Sequence, residues 1–286
     1  MDRIFINCAS YRDPDLKETV SSAFRNAMFP DKVFFGICWQ GAKEELNHLN
    51  LDFLDKCRIV LIHSSKAQGE SYARHKAMTL WEGEEFVLSV DSHSWFSKNW
   101  DIKLLEMLGQ CPSHKSWLSG CLSDHTKNQK PFCSRVGVVE KFDNGLIEHS
   151  CNGKVKKLEL GFQITGHFRF SPSKMIEEVP IDPLLEWYYY DIIYAARTWT
   201  SGWDLYHPHK VGIQHKWDRK YRKLIWDDKD MSQREKLSIQ RYKDIFLGDY
   251  NGKYGLGYER TLEEYEIFSG IDFRNQKVKR FIHYAV

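Results

Sequence analysis

Four short apolar runs, each followed by a stretch with helical character, dominate the first 110 residues of the chain. Ile4 to Cys8, Val33 to Trp39, Arg58 to His63 and Phe86 to Val90 have the length and the β-branched, aromatic content of strands. Between them, Leu16 to Met28 puts Leu16, Val20, Ala23, Phe24 and Ala27 on one helical face. Ala42 to Leu54 is polar and helical, and Ser71 to Trp81 turns Ala73, Ala77, Leu80 and Trp81 inward. Trp100 to Leu108 is a further helix. Strand and helix in alternation predict an α/β fold: a central, mostly parallel sheet with helices on both faces.

The remainder is less regular. Cys111 to Leu160 is rich in Cys, Gly, Lys and Ser and reads as strands with a long excursion. Phe162 to Phe170 is a strand, Pro180 to Pro183 a turn, and Leu184 to Trp199 a helix. His207 to His215 holds a short strand, Asp230 to Phe246 a polar helix, and 250–286 a compact tail. A chain of 286 residues suits one large domain or one domain with a small appendage. The expected division is a main domain over 1–226, cut near residue 110 into two halves, and a small C-terminal helical extension over 227–286.

Composition narrows the function classes. A hydrophobic share of 42% and a charged share of 28% are those of a soluble globular protein. The net charge of +2 does not demand nucleic acid or an acidic membrane as partner. Ten Trp and an aromatic share of 14% fit either a large core or surfaces that stack on sugars or bases. The seven Cys include no CxxC pair, and Cys8 and Cys38 sit in strand-like segments, so reduced, structural thiols are expected. MDRIFINCASYRD lacks the form of a signal peptide, and no stretch approaches about 20 apolar residues. The expectation is a cytoplasmic protein with no membrane span.

The chemistry begins with Asp91-Ser92-His93, directly after the strand FVLSV. Ligands bind beyond the carboxyl ends of strands in open α/β sheets. Residues i and i+2 of extended backbone point to one side, so Asp91 and His93 can share a divalent cation, Mn²⁺ or Mg²⁺, that would neutralise a diphosphate. His215, in IQHKW, would complete an Asp/His/His set; a surface His beside Lys216 is the alternative. Arg74 and His75 follow Gly69, Glu70 and Ser71 at a helix start, which offers free N–H groups and a guanidinium to phosphate. An ordinary capped helix is the other reading. Ser10-Tyr11-Arg12-Asp13 forms a loop after the first strand, able to stack on and read a base, or simply to start a helix with Asp13 before Pro14 as a turn signal.

Taken together, ASYRD, FGICWQ, ARHKAMTLWEGEEFVLSVDSH, NWD, EEVPIDP, AARTWTSGWDLYHP, QHKW and YGLGYERTLEEYEIFSGIDF resemble the glycosyltransferase (GlcNAc) family, which includes cytosolic hydroxyproline-linked GlcNAc-transferases. ARHKA…VDSH is also similar to the polypeptide GalNAc-transferases. The resemblance covers most of the chain, apart from about 111–160. It implies a GT-A (Rossmann-like) fold, a UDP-sugar donor, a divalent metal, and transfer to a protein or glycan hydroxyl with retention of configuration. On that resemblance 1–110 is the nucleotide-binding half and 111–226 the acceptor side. Asp91, His93 and His215 match the metal positions. Ala9, Ser10, Tyr11, Arg12, Gln40, Arg74, Asp91 and Ser92 fall on the donor side, and Gly166, His167, Trp203 and Asp204 on the sugar and acceptor side. The family's Gly-Glu-Glu is replaced here by Glu186-Trp187-Tyr188-Tyr189-Tyr190-Asp191. Counting back from Arg197 puts Asp191 on the second acid, with Glu186 as the alternative catalytic acid. SGCLSDH also departs from the family's Thr-Tyr-Pro stretch, which leaves the acceptor open.

Two other readings compete with a sugar transferase. One is a non-catalytic glycan- or nucleotide-binding protein on the same fold. The other rests on His207 to Trp226, where Lys210, Lys216, Arg219, Lys220, Arg222 and Lys223 interleave with Trp and Tyr in a pattern able to track nucleic acid. The blander view is a flap facing a diphosphate, with a solvated outer face.

Overall fold

The structure is a computed structural model that describes residues 2–143 and 146–278. The first half runs β1 (Ile4–Ser10), α1 (Leu16–Asn26), β2 (Val33–Gln40), α2 (Lys43–Leu49), β3 (Cys57–Ile62), α3 (Glu70–Met78), β4 (Phe86–Asp91), β5 (Ser94–Phe96) and α4 (Trp100–Gly109). The middle holds β6 (Ser116–Ser119), β7 (Cys121–Leu122), β8 (Cys133–Asp143), β9 (Leu146–Lys154), β10 (Glu159–Gly161), β11 (Phe168–Pro172), α5 (Ser173–Glu178) and α6 (Trp187–Thr200). Then come β12 (Asp204–His207), β13 (Ile213–His215), α7 (Ile225–Asp228), α8 (Ser232–Phe246), α9 (Leu262–Ser269), β14 (Ile271–Asp272) and β15 (Lys277–Val278).

Eight strands form the central sheet in the order β10-β12-β6-β11-β4-β1-β2-β3. β3, β2, β1 and β4 run parallel, as the strand–helix alternation requires, and β6 and β12 are parallel to each other. β11 is antiparallel to both β4 and β6 and joins the two parallel groups. Register places Ala9 beside Asp91 and Ser10 beside Trp39. The carboxyl ends of β1, β2 and β4 therefore open on one edge, the usual ligand side of such a sheet.

Helix α1 buries Leu16, Val20, Ala23 and Phe24 at its apolar face. Helix α3 lies over β1 and β2 through Ala73 and Ala77. It is shorter than the sequence suggested: Leu80 and Trp81 fall in the turn beyond it and are only half-buried. The strand expected over Phe162 to Phe170 is confined to β11 at its C-terminal end. The strand expected within His207 to His215 is in fact two, β12 in the main sheet and β13 paired with β5 in a separate ribbon.

The middle is a small antiparallel sheet, β7-β8-β9. A disulfide between Cys121 and Cys151 ties β7 to β9. The expectation of seven free thiols is corrected at these two positions. The partners lie 30 residues apart and meet only because both strands flank β8, a pairing no local pattern reveals. Cys8, Cys38, Cys57, Cys111 and Cys133 are free. Tyr242, Ile245, Phe246, Tyr265 and Phe273 from the C-terminal segment share one buried cluster with Trp117, Ile164, Tyr189, Ile193 and Trp203. The tail expected over 250–286 is described as far as residue 278; residues 279–286 lie outside the described residues. Among the described residues, no helix is long and apolar enough to cross a membrane.

Candidate active site

Asp91 is the last residue of β4, and the chain turns through Ser92 and His93 into β5. β13 pairs with β5 so that His215 faces Ser94, one residue from His93. The Lys216 N–H to His93 carbonyl bond (3.1 Å) and the His215 N–H to Ser123 carbonyl bond (3.0 Å) hold that register. The result is a converging set. The Nε2 atoms of His93 and His215 lie 3.5 and 3.1 Å from the same oxygen, Asp91 Oδ2. One ligand atom from each of the three falls within 4.8 Å of the others, an arrangement able to hold one metal ion.

The protonation states suit a cation. Burial pushes the Asp91 carboxyl up, but the His215 hydrogen bond and the Arg74 charge outweigh it and leave the group well below the usual carboxylate range. Burial pushes His215 down to about 4, so its ring is neutral at pH 7. The other ring nitrogen of His93, Nδ1, sits 2.7 Å from Asp13 Oδ2. Such a partner fixes the tautomer and leaves Nε2 as a lone pair toward Asp91. Asp13 is fully buried; it also accepts from the Ser92 hydroxyl (2.9 Å), and Tyr221 and Arg222 approach it. Its other oxygen accepts from the Asp15 N–H (3.0 Å), closing the turn into α1. The sequence reading saw only the turn.

A cleft opens beside these ligands. Ala9, Tyr11, Gln40, Ser92, Glu70 and Glu186 line it, along with Asp91, His93, His215, Arg219 and Arg222. Gly69 also lines it, with φ +96°, and a Cβ there would fall 2.1 Å from Glu186 Oε1. Only glycine lets helix α3 start against that carboxylate. Ser10 is buried beneath, its hydroxyl unpartnered. Arg12 reaches Glu45 and Asp228, and the Tyr11 hydroxyl donates to Asp228 (2.9 Å). Arg74, expected at a phosphate, is fully buried and spent on Asp91 Oδ1 (2.5 Å), Glu70 Oε1 (2.7 Å) and the Val90 carbonyl. Part of the basic stretch also turns inward, Lys216 to Asp15 and Arg222 to Asp13, while Lys223 reaches Asp228 from an exposed position.

The two candidate acids sit at different depths. Glu186 immediately precedes α6 and lines the cleft; burial pushes its carboxyl up to about 7, against the pull of Arg234 at 3.1 Å. Asp191 is the fifth residue of α6, one layer behind Gly166. Asp191 therefore stands inside the helix rather than at its positive end. The helix starts four residues earlier, at Trp187, and burial, reinforced by the nearby Glu70 charge, raises the carboxyl well above its usual range. Asp191 Oδ2 accepts from the Gly166 N–H (3.2 Å), while Oδ1 has no partner. A Cβ at Gly166 would lie 3.1 Å from Glu70 Oε1 and 3.4 Å from Asp191 Oδ1, so the two acids close on the backbone there and leave little room for a side chain.

Of the other sugar-side candidates, His167 packs its ring 4.6 Å from that of His215 and accepts from the Leu122 N–H, and burial holds it neutral. Trp203 and Asp204 are not brought to the cleft. Trp203 is buried in the core and donates to Glu178, and Asp204 starts β12 and pairs with Arg260. Sequence reasoning missed the hold of Asp13 on His93 and the place of Glu70 in the cleft. Glu70, beside the glycine that opens α3, was the one with a local signal.

The model of the family described as Glycosyltransferase (GlcNAc) matches residues 3–57 and 49–275. The chain belongs to that family. This glycosyltransferase-family chain is also similar to solved structures. One is the crystal structure of GalNAc-T7 with UDP, GalNAc and Mn²⁺, at 11% identity and TM-score 0.63, covering 94% of this chain and 55% of that one. Another is the mannosyltransferase PcManGT from Pyrobaculum calidifontis in complex with GDP-Man and Mn²⁺, at 12% identity and TM-score 0.50, covering 77% and 58%. These likenesses establish the GT-A fold. The chain spans a little over half the length of the solved structures it matches. No curated protein matches the sequence.

Proposed function

We propose that the protein is a metal-dependent glycosyltransferase that moves a sugar, GlcNAc by our reading, from a UDP-sugar to a hydroxyl of a protein or glycan with retention of configuration. The observation that carries this is the convergence of Asp91, His93 and His215 at the carboxyl end of β4, inside a cleft. Mn²⁺ or Mg²⁺ held by these three would supply charge stabilisation for a departing diphosphate. The family membership and the UDP, GDP-Man and Mn²⁺ named for the solved relatives support the same chemistry.

The chain's own residues do the rest. Asp13 holds the His93 ring, and Arg74 holds Asp91 while adding positive charge behind it. Tyr11, Ala9 and Gln40 offer the surface for the nucleotide base. Arg219 and Arg222 line the cleft from the flap side, where they would meet the diphosphate. Glu70 lines the cleft and Asp191 lies behind it across Gly166, so Glu70 is the acid placed to accept from a sugar hydroxyl. A cytoplasmic setting agrees with five free thiols, and the Cys121–Cys151 bond stands against it.

The test is UDP release from a panel of UDP-sugars, with GDP-Man as control, in Mn²⁺ and in EDTA. UDP-GlcNAc should be hydrolysed fastest, and chelation should abolish turnover until Mn²⁺ is restored. Equal rates in EDTA, or preference for the GDP-sugar, would overturn the assignment.

A further inference from the structure

The two histidines of the metal site are held by different means. His93 is oriented by Asp13, 2.7 Å from its Nδ1. His215 lacks such a partner: its Nδ1 is buried with no hydrogen bond among the described residues. Apart from the pairing of β13 with β5, its support comes from the strand beside it, β7. The Ser123 carbonyl, just past β7, accepts from the His215 N–H (3.0 Å). The Leu122 carbonyl accepts from the Trp217 Nε1–H (3.2 Å), and the Leu122 N–H donates to His167 Nε2 (3.1 Å). The rings of Trp217 and His167 each pack 4.6 Å from the ring of His215. These supports all trace to Leu122 and Ser123. β7 itself is two residues long, and its first residue is Cys121, bonded to Cys151 on β9.

We propose that Cys121–Cys151 is a reversible thiol–disulfide site, opened by a dithiol at Cys151, and that its state sets how firmly His215 holds the metal. This rests on the reading of the metal site given above. Cys121 is buried, whereas Cys151 is exposed, so a reductant meets the bond from the β9 side. The five other cysteines are free. A disulfide that stands among free thiols in reducing surroundings is usually transient or redox-sensing. Thiolate attack on Cys151 Sγ breaks the S–S bond, and Cys121 Sγ leaves as a thiolate and takes a proton. The second thiol of the reductant then displaces Cys151 from the mixed disulfide. Two electrons and two protons pass to the cysteine pair, and the dithiol becomes a disulfide. β7 thereby loses its covalent tie to β9 and keeps its short ladder to β8, Cys121 with Ser134 and Leu122 with Cys133. The loss falls on His215, because Asp91 ends β4 of the central sheet and His93 keeps Asp13.

The experiment uses the full chain, either oxidised or treated with dithiothreitol under native conditions and desalted without air. Mn²⁺ affinity is read by isothermal titration, and the state of the two cysteines by alkylation and mass spectrometry. Reduction should free Cys121 and Cys151, weaken Mn²⁺ binding about tenfold, the scale of a lost support of a metal-binding histidine, and leave the near-UV circular dichroism in place. Reoxidation should restore the affinity. Cys121→Ser with Cys151→Ser should sit at the reduced level and ignore dithiothreitol, which sets aside effects of the reductant elsewhere. A bond that stays closed in native dithiothreitol, equal Mn²⁺ affinity in the two states, or loss of the folded signal on reduction would each mean a structural staple, and this inference alone fails. If neither state binds Mn²⁺, the reading of the metal site fails and takes this inference with it.

Discussion

At the scale of single residues, Asp13 and Glu186 show how much of a site is set by groups that need touch no substrate. Asp13 serves a turn with one oxygen and His93 with the other. Asp13→Asn keeps the size but lets the amide offer an N–H to His93, favouring the wrong tautomer. Mn²⁺ affinity, read by isothermal titration, should fall by roughly 10- to 100-fold, the usual scale for a lost partner of a metal-binding histidine. An unchanged affinity would show that His93 keeps its tautomer without Asp13. Glu186 makes a second prediction. Its folded pKa of about 7 exceeds the ordinary 4.5, so the fold binds its proton more tightly than the unfolded chain does. The stabilisation is full below pH about 4.5 and is lost as pH rises through about 7. Chemical denaturation of wild type should therefore show stability declining over that window relative to Glu186→Gln. Parallel pH profiles for the two proteins would refute it.

At the scale of elements, legibility followed the range of the interactions. β1 to β4, α1 and α4 were readable because their signals are local: apolar runs, one-face periodicity and strand-end polar residues. Asp91 and His93 were readable for the same reason; His215 was reached through the motif, while the pairing of β13 with β5 that delivers it has no local pattern. The β8–β9 hairpin was not readable. Its register is set across β7 and by a disulfide, and its strands include Gly137, Asn152 and Gly153, poor strand formers. The buried state of Asp191 was hidden with it, because the hairpin supplies His149. The disulfide carries the prediction at this scale. Cys151→Ser with Cys121→Ser should lower stability by about 2–4 kcal/mol, since the bond closes a loop of 30 residues. Mass spectrometry of the non-reduced protein should first find one Cys121–Cys151 linked peptide; finding both thiols alkylated would remove the premise.

At the scale of the whole molecule, the segment beyond residue 226 decides whether the site can exist without it. α8 and α9 do not lie on a finished surface. Tyr242, Ile245, Phe246, Tyr265, Ile271 and Phe273 are all under 9% exposed and fill the same cluster as Tyr189 and Ile193 of the acid-bearing helix α6. The Tyr265 hydroxyl donates to the Phe162 carbonyl, and the Ser238 hydroxyl takes the Glu186 N–H at the start of α6. Arg234, from α8, is the cation beside Glu186. Losing the mutual burial of six such side chains and their partners forfeits about 1.5–3 kcal/mol each, roughly 10–20 kcal/mol together, against a typical total stability of about 5–15 kcal/mol. Truncation after residue 226 should therefore leave a chain with no cooperative thermal transition, and the full chain should melt in one step that both near-UV circular dichroism and Trp fluorescence follow with the same midpoint. A truncated chain that melts cooperatively and still binds Mn²⁺ would show instead that residues beyond 226 are an appendage, and that α6 keeps Glu186 and Asp191 in place without them.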